Sequence, residues 1–355
     1  MPRWALIVPL LALALLGAAW LWPGGTFVLA ACAVALMAAV QAAVYHAEVV
    51  AHRTGEPFGT LVLALAVTVI EVALIVSVML AGGADKSTLP RDTIYAAVMI
   101  ICNGVVGLSL VVGGLRHHEQ SFRIEGANTS LATVVALATL TMVLPAFTTS
   151  APGLTYTLTQ LAFASAASLA LWAVFVFGQT VRHRDYFLPA IGVSNEEAHA
   201  APPSNARALA SLGLLMLALV AVVGLAKVLS PSIEAALAAS GAPKTVIGIV
   251  IALLVLLPET VAAVRAAQVN RLQTSLNLAY GSAIASIGLT IPVVAVASVW
   301  LGMPLVLGLE PKDLVLLVLT FLVSVITLTH GRTHMMQGVV HLVIFAAFAF
   351  LAFVP

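Results

Sequence analysis

The chain predicts an all-α integral membrane fold of about eleven transmembrane helices, one N-terminal helix followed by two inverted repeats of five. Three observations carry this expectation. Of 355 residues, 62% are hydrophobic and only 8% charged, against roughly 25% charged in an ordinary soluble domain, and the mean hydropathy is +1.12. Apolar runs of about 20 residues, the length that crosses a hydrocarbon core of about 30 Å, recur along the whole sequence. A lone glutamate also recurs in the middle of two of these runs, five runs apart.

Taken in order, the expected spans are 4–22, 27–50, 58–81, 93–115, 128–147, 157–180, 208–229, 244–265, 272–299, 313–330 and 335–354. The first follows Arg3 and ends in WLWPGG, with aromatics at the water boundary in place of a small-residue cleavage motif, so residues 1–25 read as a retained helix. Residues 26–181 carry the next five spans. The longest hydrophilic stretch, VRHRDYFLPAIGVSNEEAHAAPPSNAR, is rich in Pro, Ala and polar residues, and residues 182–207 read as a linker, with SNEEAHA a solvated loop. Residues 208–355 carry the last five spans.

Eleven crossings place ten Lys and Arg residues, Arg3, Arg53 and Arg207 among them, on one side and five on the other. By the positive-inside rule the N-terminus and the linker are cytoplasmic and the C-terminus external. A net charge of +1 gives no reason to expect a nucleic-acid partner. Cys32 and Cys102 fall within spans and read as small apolar packing residues, not a disulfide framework. HExxH, GxSxG and paired-Asp motifs are absent from the sequence, which argues against an intramembrane enzyme.

The two halves align. VTVIEVALI around Glu71 in the third span matches VLLPETVAA around Glu259 in the eighth. In the spans that follow, Asn103 and Asn277 each precede a glycine by four residues (Gly107, Gly281), with another seven further on (Gly114, Gly288). A displacement of five helices is odd, so the second copy crosses the membrane in the opposite sense. Inverted repeats of this kind place a binding site near the midplane, where the repeats meet.

A carboxylate at the bilayer centre costs at least about 2.5–3.5 kcal/mol, so such residues normally face a protein interior or an aqueous cavity. Burial disfavours the charged form, and a second carboxylate nearby disfavours it further, so both glutamates can hold protons at physiological pH. A bound cation favours the ionised forms, and protons and cation then compete. If the protein changes its facing only when the charge is neutralised, the result is antiport. Pro258 has no N–H to donate and frees the carbonyl of Leu254 four residues back, and unwound carbonyls beside a carboxylate are hard oxygen ligands of the kind calcium prefers. Asn103 and Asn277 are candidate amide ligands, and Thr68, Thr260, Ser282 and Ser286 candidate hydroxyl ligands. The same residue types also serve simply as ties and close contacts between membrane helices.

These stretches, AVTVIEVALIVSVMLAGG, GGLRHHEQSF, FVFGQTVRH and LPETVAAVRAAQ with NLAYGSAIASIGLTIP, resemble the calcium/proton antiporters of the cation/calcium exchanger superfamily, in particular the bacterial ChaA type. The resemblance covers nearly the whole chain. It implies a bacterial inner-membrane protein of eleven helices, with a central site in which Glu71 and Glu259 bind cation and proton alternately. It also implies export of calcium, or of sodium and potassium in some members, driven by inward proton flow, with no cofactor. Many relatives have Gly-Asn just before the acidic pair, where this chain has Val69 and Ile70, and Leu256 and Leu257. That departure leaves open which backbone carbonyls join the site, and hence the preference between calcium and sodium.

The histidines gather near the span ends: His46 and His52 around Glu48, His117 and His118 before Glu119, then His330, His334 and His341. They read as interfacial anchors of helix ends, with a cytoplasmic pH sensor the alternative. Glu48, about one turn from Arg53, is expected to pair with it.

Overall fold

The structure is a computed structural model that describes residues 1–21, 25–55, 58–82, 87–188, 203–240, 243 and 245–354. Residues 22–24 of WLWPGG, Lys86, Lys244 and the linker core 189–202, with SNEEAHA, lie outside the described residues.

Among the described residues the chain forms eleven helices, and ten of them are long and apolar enough to cross a membrane. They are α1 (Arg3–Leu21), α2 (Thr26–Thr54), α3 (Phe58–Gly82), α4 (Leu89–His117), α5 (Ile124–Ala146), α6 (Leu158–Arg182), α7 (Asn205–Ser240), α8 (Thr245–Gln268), α9 (Leu272–Leu301), α10 (Pro311–Leu328) and α11 (Met335–Phe353). In α3 the apolar segment that meets the criteria for a shorter helix is Leu65–Leu80. The eleven expected spans correspond to these helices within a few residues. The largest departure is α7, which runs on through Pro231 to Ser240, well beyond the expected end at 229. Three helices contain π-helical turns, at Ile100–Val105 in α4, Thr139–Val143 in α5 and Gly178–Arg182 in α6.

The helices pack as two compact units, residues 1–86 with 197–244 and residues 87–196 with 245–355. The first unit holds α1, α2, α3 and α7. Here His46 of α2 is fully buried, its Nε2 2.8 Å from the Ala5 carbonyl oxygen of α1 and its Nδ1 3.2 Å from Ser211 Oγ of α7. A carbonyl only accepts, so Nε2 is the donor on the α1 side. Opposite this tie, Leu16 of α1 sits in the notch left by Gly224 of α7, where an added Cβ would come within 2.3 Å of its Cδ2. Arg53 donates from Nε to Asn205 Oδ1 at 2.7 Å, so the expected Glu48 partnership gives way to one with the first residue of α7.

The second unit holds α4, α5, α6 and α8 to α11. At one end of it, Arg91 in the first turn of α4 donates to the Gly308 carbonyl at 3.0 Å, Val306 N donates to Ser87 O, and Gly308 N donates to Leu154 O. These bonds collect the connections before α4, after α5 and after α9. At the other end, Glu119–Ser121 and Arg332–His334 form a two-stranded antiparallel ribbon in which Glu119 opposes His334. His117 Nε2 donates to Gln268 O, Gln120 Nε2 to Ala267 O and Arg123 N to Gln273 Oε1. The connections after α4, α8 and α10 therefore share that end. This alternation is what successive crossings of a bilayer require.

Helix crossings in the second unit depend on small residues, as is usual where no aqueous hydrophobic effect drives helices together. A Cβ on Gly338 of α11 would come within 2.6 Å of the Gly107 carbonyl oxygen of α4, and one on Gly288 of α9 within 2.7 Å of Trp172 Cβ of α6. Gly248 of α8 meets the Asp92 and Thr93 backbone of α4 in the same way. Cys32 and Cys102 are free and buried.

Candidate functional site

Glu71 lies on α3 about 20 Å along the axis from Phe58, and Glu259 lies on α8 about 21 Å from Thr245, at 1.5 Å per residue. Both are near the middle of helices of nearly the same length, 25 and 24 residues. Glu71 is 2% exposed and Glu259 half-buried. Thr68, buried, precedes Glu71 by three residues and so shares its face of α3. The acids thus match in depth, within their own units, as the repeat alignment expects.

Pro258 does not open α8. The helix is continuous from Thr245 to Gln268, which corrects the expectation of an unwound segment. A proline in a helix removes one N–H, at Leu254's carbonyl, and leaves its neighbours in register. Two residues on, Thr260 donates its hydroxyl to the Leu256 carbonyl at 2.7 Å, so that hydroxyl adds a second bond to a helical carbonyl.

The asparagines are placed differently from the acids. Asn103 lies about 21 Å into α4 from Leu89, whereas Asn277 lies only about 8 Å into α9 from Leu272. The shared Asn–Gly spacing therefore does not mark equal depth. The reason is in the connections: α9 starts almost at once after α8, while α3 and α4 are separated by a longer stretch, so spacing from the acid does not carry over. The α9 residue at the depth of Asn103 is Ser286, buried at 3% exposure, and Ser282 one turn earlier is half-buried.

Both amide groups are also occupied. Asn103, 0% exposed and inside the π turn of α4, donates from Nδ2 to Thr320 Oγ1 of α10 at 2.8 Å. Its Oδ1 lies 3.1 Å from His341 Nδ1 of α11. With the amide so oriented, the ring donates from Nδ1, and Nε2 is left to accept from the Thr327 hydroxyl 3.1 Å away. Thr320 passes its own proton to the Leu316 carbonyl at 2.7 Å. The π turn contributes here, since the extra residue widens the helix locally and such turns are frequent at functional positions. Asn277 donates to the Phe187 carbonyl at 2.6 Å and accepts from Gln273 Nε2 at 2.8 Å, tying α9 to the short turn Arg184–Phe187 that follows α6.

His341, Thr320 and Thr327 belong to this polar core and were not among the site residues expected from sequence. The signal existed, because His341 falls inside an apolar span, and an ionisable residue there is functional by default. His46 and His341 are both 0% exposed, which corrects their assignment to the water boundary; His334 and His330 are exposed. Of the repeated glycines, Gly107 and Gly288 face close neighbours and a Cβ on Gly114 would come within 2.5 Å of Met335 N, while one on Gly281 would meet nothing within 4 Å. Gly281 therefore leaves space beside α9 without filling a contact. Among the described residues no three His, Cys, Asp or Glu side chains gather as a metal cluster.

Residues 24–181 and 210–354 match the family of sodium/calcium exchanger proteins. The chain is 47% identical to "Putative ionic transporter y4hA" of Sinorhizobium fredii, over 100% of this chain and 97% of that protein. It is 33% identical to the sodium-potassium/proton antiporter ChaA of Escherichia coli, over 98% of this chain and 96% of that protein. Among solved structures it is similar in fold to native YfkE, with a TM-score of 0.74 at 19% identity over 99% of this chain and all of that one. The H+/Ca2+ exchanger CAX gives a TM-score of 0.71 at 13% identity, covering 98% of this chain and 87% of that one. The matched stretches leave out all of α1 and the linker, the two parts that the internal repeat also leaves out. The chain is thus a multi-pass membrane transporter that exchanges cations and not an enzyme, and it belongs to the sodium/calcium exchanger protein family, within the cation/calcium exchanger superfamily of antiporters.

Proposed function

We propose that the protein exchanges cytoplasmic calcium for external protons, with Glu71 and Glu259 as the two groups that carry cation and proton in turn. The observation that supports this most is the matched depth of the two acids on corresponding helices of the two repeats, in a family that moves cations. Two ionised carboxylates are neutralised by one divalent ion or by two protons, so the two loads have equal charge and displace one another. We assign Thr68, three residues before Glu71 on α3, and Ser282 and Ser286, on the middle turns of α9, as hydroxyls that assist the two glutamates. The amide oxygens of Asn103 and Asn277 each accept one bond, from His341 and Gln273, and each has a second lone pair to offer a cation.

The second reading is sodium or potassium for protons at the same glutamates. It is favoured by the relative at 33% identity, whose name states sodium-potassium/proton antiport. One monovalent ion leaves one carboxyl protonated, so the coupled proton count falls from two to one.

The test is purified protein in liposomes with an imposed pH gradient, assayed in turn with calcium, sodium and potassium. Cation accumulation should require the gradient, and should vanish in both Glu71→Gln and Glu259→Gln while the variants remain folded. Undiminished uptake in Glu259→Gln would sink the proposal for either cation.

A further inference from the structure

One histidine at a span end does more than lie at the water boundary. His334 ends the short ribbon and stands at the N-cap of α11, where its ring accepts a hydrogen bond from the Gln337 backbone N–H. In return His334 N donates to Gln337 Oε1 at 3.2 Å. This is the reciprocal capping box that Ser or Thr usually builds with Glu or Gln three residues on. The usual caps, Ser, Thr, Asp and Asn, keep their acceptor oxygen through the neutral pH range. A histidine accepts only through a ring nitrogen that carries no proton.

Protonation of that nitrogen has two effects. The acceptor is lost, and the Gln337 N–H at the open end of the helix loses its partner. The new positive charge also sits at the positive end of the helix dipole, where cations are disfavoured. Across the ribbon a carboxylate is in reach. His334 opposes Glu119 directly, on the outward face that both residues share, and directly opposed side chains of an antiparallel pair have Cβ atoms about 4.5–5.5 Å apart. Glu119 pairs with Arg332 through Oε2 at 3.5 Å, with both side chains well exposed, a contact weak enough to be shared. The other titratable or charged groups at this end of the packed elements are Arg116, His117 and His118 at the end of α4 and His330 after α10. His117 already donates to the Gln268 carbonyl, a bond that a protonated ring keeps, and Glu119 is the carboxylate of this set.

The first turn of α11 is also where that helix meets α4. A Cβ on Gly114 would come within 2.5 Å of Met335 N, and one on Gly338 within 2.6 Å of the Gly107 carbonyl oxygen. Backbone lies against backbone from Met335 to Gly338, so cap and packing hold the same residues. His341, with its bond to Asn103, follows about two turns later.

We infer that His334 is a two-position pH switch: unprotonated it caps α11, and protonated it leaves the cap for Glu119 and loosens the first turn of α11 against α4. Imidazole is the side chain that changes charge between about pH 5 and 8. Because the capped state binds one proton fewer, the cap is complete at the alkaline end of that range and lost toward the acid end. A link to exchange rests on the proton coupling proposed above; the switch itself does not, and its test involves no transport.

Hydrogen exchange of the full chain in lipid nanodiscs follows the first turn of α11, read by mass spectrometry at about pH 8 and about pH 5.5 and corrected for the intrinsic pH dependence of exchange. In the wild type, protection of residues 336–340 should fall about fivefold between the two, the factor that corresponds to about 1 kcal/mol for a lost N-cap, while α10 stays unchanged. His334→Asn, a cap that takes up no proton, should keep the alkaline protection at both pH values, and His334→Ala should show the lowered protection at both. Glu119→Gln keeps the cap but removes its alternative partner, so the fall should need a lower pH. Equal wild-type protection at the two pH values would overturn the assignment, as would a fall that persists in His334→Asn, the result expected if His117, His118 or His330 were the titrating group. An unshifted fall in Glu119→Gln would refute the second position.

Discussion

Replacing Asn103 by alanine separates two roles that its position allows, a cation ligand and a tie between α4, α10 and α11. The side chain makes two interhelical bonds, to Thr320 at 2.8 Å and from His341 at 3.1 Å. Bilayer measurements average about 0.6 kcal/mol for one such bond, hence about 1 kcal/mol for two. The substitution also strands a donor: Thr320 keeps the Leu316 carbonyl, but His341 Nδ1 loses its acceptor, and a buried unsatisfied donor costs about 1–3 kcal/mol. Because Asn103 and His341 are both 0% exposed, the stranded donor is the larger effect, and a loss of about 2 kcal/mol is expected. Reversible unfolding of the purified protein in mixed micelles measures it. His341→Ala should cost a similar amount, and the double variant should cost much less than the sum, since the two residues share one bond. The increment in stability produced by saturating calcium, which follows the ratio of free ion to dissociation constant, should be the same in Asn103→Ala as in the wild type. An unchanged apo stability together with a vanished calcium increment would show that Asn103 is a ligand and that the tie is incidental.

Further consequences follow from the packing. Gly338→Ala places a methyl 2.6 Å from the Gly107 carbonyl oxygen and 2.7 Å from Val111 N, both backbone atoms, so it should destabilise by about 1–3 kcal/mol. Gly281→Ala meets nothing within 4 Å and should be neutral or slightly stabilising, since alanine is favoured in helices by about 1 kcal/mol; thermal unfolding distinguishes the two. Arg91→Gln removes the cation 2.8 Å from Asp92, in a pair whose side chains are 4% and 8% exposed, and should cost about 3–5 kcal/mol. Pairing it with Asp92→Asn should restore part of that loss, by the same unfolding measurement. Gln120→Ala deletes the bonds to Ala267 O at 2.9 Å and Asn270 Oδ1 at 3.1 Å, and should raise amide exchange at the end of α8 while leaving α10 unchanged.

The helices were legible because a hydrocarbon slab imposes a length on every crossing, and no folded interior has to be known to count it. The matched depth of Glu71 and Glu259 was legible for the same reason, since charge in the middle of an apolar run is conspicuous. The asparagine correspondence failed because a shared four-residue spacing says nothing about where a helix begins. The histidines were misplaced in a parallel way: closeness to a span end along the sequence suggested water for His46 and His341, yet helix packing buries both and supplies partners from distant helices. The ribbon of Glu119–Ser121 with Arg332–His334 has three residues a strand, too few for an alternation to stand out, and its pairing depends on contacts across more than two hundred residues. The π turn at Ile100–Val105 has no residue signature separate from the helix around it.

What selects the cation can be argued from the oxygens that remain. Calcium takes six to eight oxygen ligands, and the amide oxygens of Asn103 and Asn277 already accept from His341 and Gln273. Each amide oxygen has a second lone pair, so a cation could share it while the bond from His341 or Gln273 persists. If Glu71 and Glu259 carry the exchange as proposed, charge offers a basis of choice of its own: a divalent ion satisfies two ionised glutamates, a monovalent ion satisfies one and leaves the other protonated. Titration calorimetry in buffers of different ionisation enthalpy counts the protons, and should give about two released per calcium and about one per sodium from the same wild-type protein when it starts with both carboxyls protonated. Glu71→Gln should then lower each count, and Asn103→Ala should leave the calcium-to-sodium affinity ratio where it was. A ratio that shifts tenfold in Asn103→Ala with proton counts intact would mean that the amide, and not the charge on the glutamates, distinguishes the ions.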